Sequence, residues 1–258
     1  MISLLKRKIH IVLIVSLWIV SVVSQFIWLK LERLPPLGDG IRYLLRGMEF
    51  FGIYSEKGLG AFCKEMFKSV DALPPSIEIT YFLYYKLFGI STEMELMVNS
   101  IYLGIGIIGV YCIAKYLFNK NTGLLAALIF TSFPAVLVFS RLGFREFHIM
   151  CSVVVVVYFL LRTENFSNRK FSVLFGISMG ILLLIKYVGL VFIGAPISTV
   201  LIGVIYKRFF LKNISKGLFF NMGISLFFFC IIGLPWYIVN LKNCFIYMQQ
   251  RSNYLSSG

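Results

Sequence analysis

Residues 97–118 read MVNSIYLGIGIIGVYCIAKYLF, and the reading of this stretch decides the fold. As letters, Gly104-Ile-Gly106-Ile-Ile-Gly109 matches the glycine fingerprint of a dinucleotide-binding turn. That turn needs a strand before it and a helix after it within a βαβ unit. Here the glycines sit inside an apolar run in which Lys115 is the lone charge. The run is long enough for a spanning helix, which takes about 20 residues. The glycines are therefore read as sites of close helix–helix approach, as are Gly176 and Gly180 at small-xxx-small spacing.

Working outward, similar runs fill the chain. Of its 258 residues 59% are hydrophobic and 14% charged, more apolar surface than a soluble domain can hide. Spans are expected at about 9–29, 97–118, 122–140, 146–161, 172–186, 188–206 and 217–239, giving an all-α membrane protein of about seven transmembrane helices. The first run, preceded by Lys6, Arg7 and Lys8, resembles a signal peptide, but its apolar core is long and further spans follow, so it reads as a first span. A net charge of +14 raises the question of nucleic acid. The basic residues lie in short loops between apolar runs rather than on a soluble face, and nucleic acid is discounted.

Those loops set the orientation. With the N-terminus in the cytoplasm, the inner segments carry Lys6, Arg7, Lys8, Lys115, Lys120, Arg162, Arg169, Lys170, Lys207, Arg208, Lys212 and Lys216, opposed by Glu164. The short outer loops carry Arg141, Arg145 and Lys186, as the positive-inside rule requires. On this reading the sequons at Asn165 and Asn213 face the cytoplasm and stay unmodified.

Residues 30–96 differ from the rest and hold nine of the eleven acidic residues. They form a long outer loop. Within it Ile41, Leu44, Leu45, Met48 and Phe51 follow helical spacing opposite Arg42, Arg46 and Glu49, which predicts a helix lying on the membrane surface. After Pro74-Pro75 an aromatic segment with Tyr81, Phe82, Tyr84, Tyr85 and Phe88 is expected at the interface. Cys63 and Cys244 both fall outside, so a disulfide between them is open. Cys112, Cys151 and Cys230 read as packing residues. His10 and His148 have no metal-ligand spacing with each other or with cysteine.

Four outer features bear on chemistry. Asp39, between Gly38 and Gly40, is either a helix N-cap or a reactive carboxylate. Arg141, Arg145 and Glu146 sit at a junction of spans, where a salt bridge would serve equally well. Lys186-Tyr187 belongs at the outer rim or on a cavity wall, since a lysine at mid-membrane costs roughly 3 kcal/mol. Trp236 and Asn240 close the last span, an ordinary place for an interfacial tryptophan. Together they supply a carboxylate, fixed cations and aromatic surface on one side of the membrane, a set suited to activating a hydroxyl while holding a phosphate.

The order PPLGDGIRYLLRGMEFFGIYS (35–55), LPPSIEITYFLYYKLFG (73–89), FSRLGFREFHIM (139–150), LLLIKYVGL (182–190) and LPWYIVN (234–240) resembles the GT-C membrane glycosyltransferases, in particular the protein O-mannosyltransferase and aminoarabinose transferase group. The resemblance implies transfer of a sugar from a polyprenyl-phosphate donor to a glycan, lipid or protein acceptor at the outer face of the cytoplasmic membrane. It implies Asp39 as base, with Arg42 and Tyr43 after it, Arg141 and Glu146 at the second acidic motif, and Lys186-Tyr187 at a Thr-Lys-Tyr-like motif in which Ile185 replaces the small hydroxyl residue. Lys186 and Arg141 or Arg145 are candidates to lie near the phosphate, and Arg42, Tyr43, Glu146 and Tyr187 complete the set expected to bind substrate. No cofactor is required by these motifs; a divalent metal is left open, with Asp39 and Glu146 as its candidate ligands. Relatives usually continue with more spans, so the chain is expected to carry the N-terminal seven-span module without the C-terminal part. The alternatives are a lipid-linked sugar transporter or flippase, which would place polar groups along a mid-membrane path, and a truncated non-catalytic membrane partner.

Overall fold

The computed structural model describes residues 2–32, 38–68, 73–91, 94–209 and 217–256, and all secondary structure among them is helical. The helices are α1 (Ile2–Glu32), α2 (Asp39–Met66), α3 (Ser76–Phe88), α4 (Met94–Leu117), α5 (Lys120–Ser132), α6 (Pro134–Phe139), α7 (Arg145–Arg162), α8 (Arg169–Ile185), α9 (Gly189–Phe209), α10 (Leu218–Val239) and α11 (Leu241–Ser256). The Asn213 sequon, Lys212 and Lys216 lie outside the described residues.

Four stretches are long and apolar enough to cross a bilayer: Ile9–Leu31, Met97–Leu117, Gly189–Tyr206 and Leu218–Val239. The other expected spans fall short for local reasons. The run 122–140 is two helices, because Pro134 has no N–H to continue α5 and holds Phe133 extended at φ −69°, ψ 128°. α7 begins with Arg145-Glu146 and ends on Arg162, and α8 has 17 residues. Both are nonetheless central. α7 packs on α4 and α8, α8 packs along α10, and α9 covers α7 and α8. Outer faces such as Val191, Phe192, Phe219, Phe220 and Phe227 stay exposed, the lipid-facing surface of a membrane bundle.

Small residues set the helix spacings. A methyl group on Gly106 would lie 2.9 Å from the Phe130 ring and 3.0 Å from Cys151 Sγ, and one on Gly109 2.8 Å from Val154. The fingerprint-like glycines are thus packing positions. Gly176 abuts the Ser225 backbone, and a Cβ on Gly180 would reach Ile232 at 2.8 Å. Along the same seam Ser225 Oγ donates to Ser172 O at 2.7 Å, and Asn221 Nδ2 donates to Phe166 O at 2.7 Å.

The polar segment between α1 and α4 is built as a cover. Gly58, at φ 77°, breaks α2 into two segments. In a straight helix Phe50 and Phe62 would stand about 18 Å apart, but their ring centroids lie 5.7 Å apart, and Phe62 continues to Phe82 of α3 at 4.3 Å. Arg46 closes the fold-back on Glu65 at 2.8 Å. Gly47 lets α2 approach the Tyr81 Cβ. Of the expected amphipathic stripe, Leu44 is buried while Ile41 and Leu45 remain exposed. The aromatics of α3 depart from the interfacial expectation. Tyr81, Phe82 and Tyr85 are buried, because α2 lies over them. Cys63 and Cys244 are both free.

Gly176→Ala is expected to destabilise the protein by about 1–3 kcal/mol through forced separation of α8 and α10. Gly223→Ala, where a Cβ meets open space on α10, should leave stability unchanged. Thermal unfolding of the two purified variants in detergent checks this contrast.

Candidate functional site

Arg145 starts α7 and is 2% exposed. Its Nη1 donates to Pro74 O at 2.7 Å and to Ile185 O at 3.1 Å. Its Nη2 pairs with Glu78, and the guanidinium lies 4.4 Å from the centre of the Tyr43 ring. One side chain therefore ties together α2, the turn before α3, α3 itself and the end of α8. A planar fork of donors suits this role, where a lysine point charge would not. Tyr43 is pushed up to about 12 by burial, with Asp39 and Glu78 adding to the rise and Arg145 opposing it. Its phenol stays neutral through the physiological range.

Next to Arg145, Glu146 points the other way and accepts from Lys186 Nζ at 2.7 Å. Lys186 follows the last turn of α8 in extended conformation and is about one-fifth exposed, a rim position as expected. Because Arg145 holds the carbonyl of Ile185, the same residue that anchors α3 also sets where Lys186 begins. Tyr187 is more exposed. Arg141 leaves this group, its guanidinium lying 5.2 Å from the centre of the Trp28 ring near the C-terminal end of α1.

Asp39 is the first residue of α2 and is exposed. Gly38, at φ 62°, holds the cap position, with no side-chain cap bond, so Asp39 is not the N-cap. Its carboxylate pairs with Arg42 at 2.7 Å. Gly38 faces the Phe144 ring, which a Cβ there would meet at 3.6 Å, and this brings the start of α2 beside the start of α7.

Between them lies a cavity of about 50 Å³ lined by Arg42, Arg46, Lys68, Leu73, Pro75, Glu78 and Arg145. That volume holds a few waters or one tetrahedral anion. Four cations face it against one carboxylate. Further acids stand behind them: Glu65 pairs with Lys68 at 2.6 Å and with Arg46 at 2.8 Å, and Glu49 pairs with Arg46 at 2.5 Å. The hydrogen bond from Lys68, together with Arg46, holds the Glu65 carboxyl below its ordinary range. These acids hold Arg46 and Lys68 in place beside the cavity.

Of the residues singled out from sequence, Arg42 and Arg145 line this cavity, Asp39 pairs with Arg42, Tyr43 lies against Arg145, and Glu146 pairs with Lys186. Arg46, Lys68 and Glu78 complete the cavity; Arg46 and Glu78 lie within the segments 35–55 and 73–89 but are not among the candidate site residues. Glu78 does have a signal in hindsight: it shares the face of Ile77, Tyr81, Phe82 and Tyr85, an acid on the buried side of its helix. His148 is buried, with Nδ1 3.1 Å from Phe144 O and its ring edge-on to Tyr102, a packing role. Among the described residues no three His, Cys, Asp or Glu side chains come together. Asp39 and Glu146 are each engaged by a cation, so the two do not fit as a joint metal centre.

A bundle of apolar helices ending in fixed charges around a cavity defines a membrane protein with a polar site at one end. The sequence model of the dolichyl-phosphate-mannose-protein mannosyltransferase family matches residues 73–236, more than half of the chain, and the chain belongs to this family of membrane glycosyltransferases. No curated protein and no solved structure matches it. The matched residues include Glu78, Arg141, Arg145, Glu146, Lys186 and Tyr187; Asp39, Arg42, Tyr43 and Lys68 precede them.

Arg145→Met should cost about 3–5 kcal/mol, because Glu78 is left as a buried charge, whereas Arg145→Met combined with Glu78→Leu should recover much of that loss; denaturation of single and double variants reads the coupling. A second expectation concerns pH. Because folding raises the Tyr43 pKa from 10.0 to about 12, its contribution is complete below pH 10 and is lost as pH rises towards 12. Tyr43→Phe should therefore make the alkaline fall in melting temperature shallower than in the wild type.

Proposed function

We propose that this chain transfers a sugar from a polyprenyl-phosphate carrier to a glycan, lipid or protein acceptor at the outer face of the cytoplasmic membrane, with Asp39 as general base. The observation that carries this reading is the cavity in which Arg42, Arg46 and Lys68 of the outer cover meet Arg145 of the bundle, one helical turn from Asp39. Family membership supports glycosyl transfer in general.

In this mechanism the acceptor hydroxyl gives its proton to a carboxylate oxygen of Asp39. Its oxygen then bonds to the anomeric carbon as the bond from that carbon to the phosphate oxygen breaks. The phosphate leaves with the electron pair, and the fixed cations stabilise the charge that gathers on it. An alcohol leaving group would need a second carboxyl as acid; a phosphate does not. The pairing of Asp39 with Arg42 gives the donor a part in the timing. A phosphate in the cavity competes for Arg42, and the carboxylate released from it faces the acceptor. Lys186 and Glu146 at the neighbouring rim are suited to orienting the sugar or the acceptor. Arg141, stacked on Trp28, supports the end of α1 in this scheme.

The orientation has support of its own. Arg141, four residues before Arg145, stacks on Trp28 near the end of α1 away from the Lys6-Arg7-Lys8 run, while Lys115 and Arg162 fall in the last turns of α4 and α7 and Arg169 begins α8. That is the distribution expected for a site on the outer face.

Membranes containing the chain should transfer label from one of a panel of polyprenyl-phosphate sugars. Asp39→Asn should reduce the rate by at least about a hundredfold, and Arg42→Gln should chiefly weaken donor use. Full transfer by Asp39→Asn would remove Asp39 from the role of base.

A further inference from the structure

The end of α2 is held by residues from the other end of the sequence. α2 finishes at Met66, with Phe67 as its cap residue, and the last carbonyls of a helix have no partner within it. Here two are supplied from α10: Trp236 Nε1 donates to Met66 O at 3.2 Å, and Asn240 Nδ2 donates to Phe67 O at 2.9 Å. Asn240 also donates back to Trp236 O at 2.9 Å, so the two side chains act as one clasp. An interfacial tryptophan normally turns its N–H to water. Trp236 is 5% exposed and turns its N–H inward, to a backbone 170 residues away in sequence.

The next residue after the clasped carbonyls is Lys68, which lines the cationic cavity and whose Nζ pairs with Glu65, the anchor of Arg46. Beyond the turn bond from Lys68 N to Glu65 O at 3.0 Å, the path of the chain from Met66 to Lys68 is set by the donors to Met66 O and Phe67 O. We propose that Trp236 and Asn240 are positioning residues for anion binding, acting through the end of α2 on Lys68 and, through Glu65, on Arg46. The clasp couples the last long membrane helix to the outer cover, and the cavity is complete only while the two are joined. This inference rests on the reading of the cavity as a phosphate site.

The test uses the full chain in detergent and farnesyl phosphate as a short polyprenyl-phosphate probe, followed by titration calorimetry. Trp236→Phe keeps the ring and removes the donor; Asn240→Ala removes the second donor. Each should weaken binding by about fivefold, the usual effect of losing one hydrogen bond, with melting temperature close to wild type. In a Lys68→Met background neither should weaken binding further, since the effect runs through Lys68. In transfer assays the donor KM should rise while kcat stays within about twofold. Wild-type affinity in both variants, or losses that add in full to that of Lys68→Met, overturns the clasp while the phosphate site stands if Arg46→Gln still loses affinity. Absence of saturable binding by the wild type overturns the phosphate site, and the clasp with it.

Discussion

A guanidinium taken out of water at the end of a membrane bundle is costly, several kcal/mol even after relaxation, and Arg145 meets that cost with three partners at once. Glu78 balances its charge, while Pro74 O and Ile185 O both accept from Nη1. The Tyr43 ring closes the exposed face of the group. None of these partners is near Arg145 in the sequence, so the arrangement exists only when α2, α3, α7 and α8 are all in place. The other features of the site hang from it. Lys186 begins where Ile185 is pinned, Tyr43 fixes the turn of α2 that carries Asp39 and Arg42, and Glu78 fixes the depth of α3.

Much of the membrane architecture is legible in the sequence, because apolar length is a one-dimensional property. The runs at 9–29, 97–118, 188–206 and 217–239 correspond to the four long apolar stretches. The glycines of 104–109 also prove to be packing sites, as their surroundings imply. The break at Pro134 was open to reading and was masked by the hydrophobicity on both sides of it. The burial of the α3 aromatics is hidden for a different reason. Tyr81, Phe82 and Tyr85 have the composition of an interfacial helix, and what buries them is the fold-back of α2 at Gly58, a contact that no local window contains.

The site divides in the same manner. Asp39, Arg42, Tyr43, Arg145, Glu146 and Lys186 announce themselves as polar residues in short motifs between apolar runs, and the structure gathers them at one end of the bundle. What the motifs could not convey is who pairs with whom. Arg145 and Glu146 are adjacent in sequence yet belong to different ion pairs, because successive residues of a helix point about 100° apart. Arg46, Lys68 and Glu78 gain their meaning only from the cover being folded over the bundle. Arg141 shows the converse: a residue prominent by motif that stacks on α1, away from the cavity.

The shortness of the two central helices has a further bearing on the lipid around them. α7 and α8 are about 27 Å and 25 Å long, and α5 is interrupted by Pro134. The hydrocarbon core of a bilayer is about 30 Å thick. Where those helices meet lipid, the leaflet must dip to match them, at a modest cost per ångström. Arg145 starts α7 and Lys186 caps α8, so the charged residues stand at the ends of the short helices. A bilayer that thins to match these helices brings its polar surface nearer to those ends.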